Sequence, residues 1–297
     1  MQIKILGCAA LLLTVGCFGT NEETHPAYPS AAWSPQASNA AGSGGGAAAS
    51  STQSVSLQSS ASAAAYLTDG MGHALYIFAN DVPGSSASSC SAACLEKWPV
   101  FDAAALSVGA GLTISDFTRF QRPDGAWHTA FKGRPLYRFA SEAAGSSSGD
   151  GAAGRWYLAR DYNVFVAAKT DLIPQGANMP APYMTNRAGR TVYAFMSDTA
   201  AQSGSAPVSA CADKCLEAWP AWPAPAALET LILPASLKLA DFGTFERTSA
   251  GMPIKQLTYR GYPLYFHTPD VAPGATSGHM SGAWRAIDPA TFAVIAK

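Results

Sequence analysis

The chain has 297 residues, of which 48% are hydrophobic and only 13% charged, with a formal net charge of −1 at pH 7. That apolar content is enough for two domains of ordinary size and excludes a chain that is disordered throughout. No Lys/Arg cluster breaks the near-neutral balance, so charge gives no support for nucleic acid as a partner. At the N-terminus Lys4 precedes a nearly unbroken apolar run from Ile5 to Val15. The run is shorter than the roughly 20 residues a membrane helix needs, and it reads as an export signal.

The signal ends at Leu13-Thr14-Val15-Gly16-Cys17. This segment resembles the lipobox of bacterial lipoproteins, with Thr14 a less usual occupant of its position. The resemblance implies a diacylglycerol thioether on Cys17, which then becomes the first residue. Residues 1–17 are accordingly expected to be a lipoprotein signal peptide. The alternative is a plain secretory signal with Cys17 a passenger. Phe18 stands where an Asp would mark inner-membrane retention, which resembles lipoproteins sorted to an outer membrane. The expected location is the cell envelope or surface, extracytoplasmic. The expected partner is the membrane, through an anchor that several acyl chains make stable at about 0.8 kcal/mol per buried CH₂. Residues 18–64 are rich in Ser, Ala, Gly, Pro, Asn and Gln without periodicity. They read as a disordered tether with a reach of roughly 35–40 Å.

From residue 65 the chain repeats itself. Tyr66-Leu-Thr-Asp69-Gly through Asp81 aligns with Tyr183-Met-Thr-Asn186-Arg through Asp198. Cys90-Ser-Ala-Ala-Cys94-Leu-Glu-Lys-Trp98-Pro99 aligns with Cys211-Ala-Asp-Lys-Cys215-Leu-Glu-Ala-Trp219-Pro220. Asp116, Arg122, Gly133-Arg-Pro135-Leu136-Tyr137 and Trp156 find counterparts in Asp241, Arg247, Gly261-Tyr-Pro263-Leu264-Tyr265 and Trp284. A fainter echo lies inside each copy. Tyr76-x-Phe78-x-x-Asp81 recurs as Tyr137-x-Phe139-x-x-Glu142, and Tyr193-x-Phe195-x-x-Asp198 as Tyr265-x-His267-x-x-Asp270.

With these echoes and the Cys pairs before Trp-Pro, the chain resembles the bacterial predicted lipoproteins with a Y-x-[FWY]-x-x-D motif, a secreted repeat of unassigned function. The resemblance runs from about residue 65 to 297. Glu142 and His267 depart from the motif, and it implies no biochemical activity. The domains expected are module 1 at 65–170, a linker at 171–182 marked by Pro174, Pro180 and Pro182, and module 2 at 183–297.

Alternation and turn chemistry place strands at 74–78, 127–131, 136–139, 155–159 and 164–168, punctuated by Asp69-Gly70 and Pro123-Asp124-Gly125. One short helix per module is expected, from Ser89 as N-cap to Trp98 before Pro99, with its counterpart before Pro220. The fold class is mostly β: two tandem antiparallel modules, each with one helix carrying C-x-x-x-C. A single pseudo-fourfold, propeller-like body is the alternative.

Cys8 lies in the signal. Cys90, Cys94, Cys211 and Cys215 form two pairs at identical places, and in an oxidising compartment these are expected as disulfides. The alternative is a copper or redox site, because soft thiolates suit Cu(I). Such a site needs further ligands, yet no histidine among His73, His128, His267 and His279 recurs between the copies, so no metal or cofactor is expected.

Gly149-Asp-Gly151-Ala-Ala-Gly154 fits a dinucleotide fingerprint only as a string, since no strand precedes it and no helix follows. Gly145-Ser-Ser147-Ser-Gly149 likewise lacks a nucleophile elbow. The recurrent acids Asp81/Asp198, Glu96/Glu217 and Asp116/Asp241 read as turn caps ahead of acid–base pairs. Trp98, Trp156, Trp219 and Trp284 read as core anchors ahead of a sugar platform. The function expected is therefore non-enzymatic, structural or binding, with an unidentified protein or glycan partner. Carbohydrate binding stands as an alternative. A binding surface, if the fold has one, is expected at Tyr76, Phe78, Asp81, Tyr137, Phe139, Tyr193, Phe195, Asp198, Tyr265 and Asp270.

Overall fold

A computed structural model describes residues 52–60, 63–169, 172, 180–203, 205–249 and 251–292. Cys17, the signal and most of the tether lie outside these residues. The first copy runs through β1 (Gln53–Ser60), β2 (Ala63–Asp69), β3 (Tyr76–Phe78), α1 (Ala93–Lys97), β4 (Leu106–Val108), β5 (Phe117–Gln121), β6 (Trp127–Phe131), β7 (Arg134–Pro135) and β8 (Trp156–Leu158). The second follows with β9 (Val164–Lys169), β10 (Ala181–Asn186), β11 (Tyr193–Phe195), α2 (Lys214–Ala218), β12 (Phe242–Ser249), β13 (Met252–Tyr259), β14 (Tyr262–Pro263) and β15 (Trp284–Ala286).

The molecule is mostly β, built from small sheets of two or three strands. Equivalent pairings recur: β3 with β8 and β11 with β15, then the meanders β5-β6-β7 and β12-β13-β14. All are antiparallel except β1 with β4, where Gln53 faces Leu106 and Val55 faces Val108 in parallel. The half-repeats join two by two, by bridges at Tyr76–Tyr137 and Tyr193–Tyr265, and do not make four blades.

Three boundaries differ from the sequence reading. Residues 53–60 were expected to end the tether but form β1, which pairs with β2 through Val55↔Asp69 and Leu57↔Leu67. Residues 181–182, expected in the linker, open β10. The second repeat starts at β9 and not at residue 183. Val164↔Asn186 and Val166↔Met184 reproduce the β1–β2 register, because Asn186 is the counterpart of Asp69. Finally, 136–139 forms isolated bridges, Tyr137 with Tyr76 and with Val100, in place of a continuous strand.

The two copies share a wall. Phe165 and Ala167 of β9 pack in one core with Leu75, Phe101, Phe117 and Phe131 of the first copy. Val164 and Val166 pack in a second core with Met184, Trp222, Phe242 and Leu257 of the second copy. A strand apolar on both faces is a strand covered on both faces. Each large side chain buried there contributes roughly 1.5–3 kcal/mol.

The helices are shorter than expected. Ser89 is not an N-cap. Its N–H donates to Asp81 Oδ1 at 2.6 Å, and its hydroxyl donates to the Asn80 carbonyl at 3.0 Å. α1 and α2 start only after Ala92 and Asp213, which sit at φ 42° and 48°. That left-handed turn breaks the helix before it can reach back to the first cysteine.

Candidate functional site

Each repeat builds one polar and aromatic cluster from its two motif copies. In the first, Tyr76 and Tyr137 exchange backbone hydrogen bonds at 2.8 and 2.9 Å. Their hydroxyls then cross over. Tyr76 Oη donates to Glu142 Oε2 at 2.7 Å, and Tyr137 Oη donates to Asp81 Oδ2 at 2.6 Å. The second repeat does the same, Tyr193 donating to Asp270 and Tyr265 to Asp198, the latter at 2.7 Å. Each carboxylate thus serves the tyrosine of the other half-repeat.

The second oxygen of each acid closes a loop. Asp81 Oδ1 accepts the Ser89 N–H, and Asp198 Oδ1 accepts the Ala210 N–H at 2.7 Å. Asp270 Oδ1 accepts the Ser277 N–H at 3.0 Å. Glu142, one methylene longer than Asp, reaches the Ser148 hydroxyl at 3.0 Å with Oε1 and so performs the same task. Burial raises the pKa of all four tyrosines, beyond any pH at which the protein would be handled. Burial also pushes Asp81 up to about 6 and raises Asp198.

The aromatic position of the motif caps a four-ring stack. Phe78, Trp156, Trp98 and Phe139 follow one another at centroid spacings of 4.3, 4.0 and 4.6 Å. Phe195, Trp284, Trp219 and His267 do so at 4.4, 3.8 and 4.2 Å. His267, the second departure from the motif, keeps the stacking geometry. Tyr76 and Tyr137 meet Trp98 and Trp156 edge-on, the arrangement the ring quadrupoles favour.

Cys90–Cys94 and Cys211–Cys215 are disulfides with Cα separations of 5.4 and 5.3 Å. Each joins a buried cysteine ahead of the helix to its first turn, rather than two residues within one helix. Closing so small a loop restricts the unfolded chain by about 2 kcal/mol. It also holds a five-residue helix that would not persist alone. Arg122 Nη2 donates to the Cys90 carbonyl at 3.0 Å, and Arg247 reaches the Cys211 carbonyl.

The structure separates the expected site residues by role. Tyr76, Tyr137, Tyr193 and Tyr265 are wholly buried, and Asp81, Asp198 and Asp270 nearly so, while Phe78, Phe139 and Phe195 are half-buried. A ligand touching the motif tyrosines and acids, the binding surface expected from the sequence, has no room, because their polar atoms already face one another. The four stacked tryptophans are core anchors, each at most 8% exposed. The other recurrent acids lie apart from these clusters. Asp116 and Asp241 face Lys132 and Arg260, while Glu96 and Glu217 stand on the exposed side of the helices.

His128, weighed above as a ligand, donates from Nε2 to the Leu136 carbonyl at 2.8 Å, and burial lowers it to about 4. Its counterpart Gln256 donates to the Leu264 carbonyl at 2.7 Å. An amide replaces the imidazole because only a neutral donor is needed. Among the described residues no group of three or more His, Cys, Asp or Glu is placed to hold a metal ion. Both cysteine pairs are closed, and a closed pair offers no thiolate to a soft metal ion.

One recurrent residue was missed. Gly149 and Gly278 lie against the tyrosine and the tryptophan of each cluster. A Cβ on Gly149 would stand 2.9 Å from Trp98 and from Tyr76, and one on Gly278 would stand 2.7 Å from Trp219. The glycine of the rejected fingerprint is therefore required by packing against rings. Its signal was the alignment of Ser148-Gly149 with Ser277-Gly278.

Residues 65–102, which carry most of β2, then β3, α1, the first motif copy and the first disulfide, match the family model of a secreted repeat of unknown function. The resemblance read from the sequence holds for this segment, and the description of that family is consistent with an exported protein. No curated protein and no solved structure matches the chain. Among the described residues no helix is long and apolar enough to cross a membrane.

Proposed function

We propose that this secreted repeat protein is a lipoprotein held on the outer face of the cell envelope through Cys17, and that its paired repeats are a non-catalytic scaffold for binding a protein or glycan. One observation carries the non-catalytic part. In both repeats the recurrent tyrosines and the acids of the motif are bonded to each other inside the core, and none of these motif groups is left facing a cleft. Catalytic groups need access to a substrate, and these have none. The closed disulfides fit an oxidising compartment. Recognition then falls to loops outside the clusters, at the module junction and around the half-buried rings.

Mass spectrometry of the mature protein tests the anchor. The expected N-terminus is Cys17 with the added mass of a diacylglyceryl group, and Cys17→Ser should move the protein from the membrane fraction to the soluble one. A mature chain that starts elsewhere without lipid overturns the reading.

A further inference from the structure

Arg160 follows β8 and is only 9% exposed. Among the described residues its guanidinium makes no hydrogen bond. Nε is buried without a partner, and the nearest carboxylate, Asp150, stays 3.9 Å from Nη2. Asp150 is turned to another task, accepting the Leu158 N–H at 3.0 Å. The Tyr66 ring lies 5.9 Å from the guanidinium carbon. A buried charge is normally matched by hydrogen-bonded counter-charge, and a planar guanidinium matches a carboxylate best.

Arg160 lines a cavity of about 180 Å³ at the junction of the two repeats. Leu67, Leu112 and Phe131 of the first repeat and Ile232 of the second form its apolar wall. Two acids also border it, each with another cation nearby. Asp161 meets Lys132 at 2.9 Å and Arg187 at 3.1 Å, and Asp116 lies 3.8 Å from Lys132. Arg160 differs in that its guanidinium Nε is buried without a partner and its nearest carboxylate, Asp150, already accepts the Leu158 N–H. Its counterpart in the second repeat, aligned from Trp156 and Trp284, is Asp288, so the site does not recur. The cavity is below the roughly 300 Å³ at which drug-sized ligands are held, so its occupant is small.

We propose that this cavity binds a small organic carboxylate, with the carboxylate on the Arg160 guanidinium and the hydrocarbon body against Leu67, Leu112, Phe131 and Ile232. The site is independent of the anchor at Cys17 and uses none of the motif residues.

Isothermal titration of the full-length protein in detergent tests it, using the straight-chain series from acetate to hexanoate, isovalerate, and 3-methylbutanol as the uncharged isostere. Saturable binding is expected for at least one carboxylate of the series and none for the alcohol, with affinity falling at least tenfold in Arg160→Gln. Ile232→Trp fills the cavity from the other repeat and should abolish binding while leaving the circular dichroism spectrum unchanged. This second variant decides the matter if Arg160→Gln fails to fold. The proposal is overturned if no carboxylate binds, if the alcohol binds equally, or if binding survives either folded variant.

Discussion

Strands β1 and β9 occupy the same place in successive repeats, yet their sequences differ in kind. β9 reads Val-Phe-Val-Ala-Ala-Lys, and its first five residues are all buried. β1 reads Gln-Ser-Val-Ser-Leu-Gln-Ser-Ser, with Val55 buried and Ser54, Ser56 and Ser59 exposed. Registers match through Val55 and Val164, so Ser56 stands where Phe165 stands. β9 separates two cores, whereas β1 covers one. The number of covered faces is therefore written in the period of the strand, and a one-sided strand rich in serine resembles low-complexity linker, which is why the sequence alone extends the tether to residue 64.

The sharpest way to break this comparison is to truncate the shared wall. Phe165→Ala should cost roughly 3–5 kcal/mol in urea unfolding, by cavity formation in the first core. Ser56→Ala at the matching position should stay within about 0.5 kcal/mol. Equal costs would remove β9 from the role assigned to it. Next in size are the crossed tyrosines. Tyr137→Phe leaves the buried Asp81 without its hydroxyl donor and should cost about 1–3 kcal/mol, with Tyr265→Phe similar in the second repeat. A neutral result in one repeat alone would show that the two clusters are not equivalent. Reduction of each disulfide should cost about 2 kcal/mol and loosen the loop between Asp81 and the helix, visible as faster amide exchange there.

The pH dependence sharpens the comparison further. Asp81 ionises at about 6 in the folded protein, against 3.8 for an unperturbed aspartate. Between about pH 4 and 6 unfolding therefore releases a proton from this group. Its contribution to stability is complete below pH 4, declines as pH rises through 6, and is level above that. Asp198, also raised, acts in the same direction. Asp81→Asn should flatten the slope of urea midpoints across this window, and an unchanged slope would remove Asp81 as its source. The smallest effect belongs to His267→Phe, which restores the ring found at Phe139. A change within about 0.5 kcal/mol is expected at neutral pH.

Much of the candidate site was legible because it is repeated. Tyr at the motif start, the aromatic two residues on and the acid five residues on each proved to have a distinct contact. Glu142 and His267 showed how far those contacts tolerate change. What could not be read was the partner of each acid. Tyr137 and Asp81 are 56 residues apart, and nothing in local spacing says that the hydroxyl of one half-repeat crosses to the carboxylate of the other. Arg160 was invisible for the opposite reason, since a residue present in one copy only gives no recurrent signal.

By itself, the sequence determined the mostly β character, the duplication and the recurrence of two closely spaced cysteines in each copy. All three follow from local chemistry: side-chain alternation, turn residues and thiols close enough to join. Tertiary structure alone decided that the repeats share a wall, that the motif faces inward, and that one arginine at their junction is buried without a hydrogen-bonded counter-charge among the described residues. Those outcomes depend on which surfaces exclude water together, and that is a property of packed elements far apart in the chain.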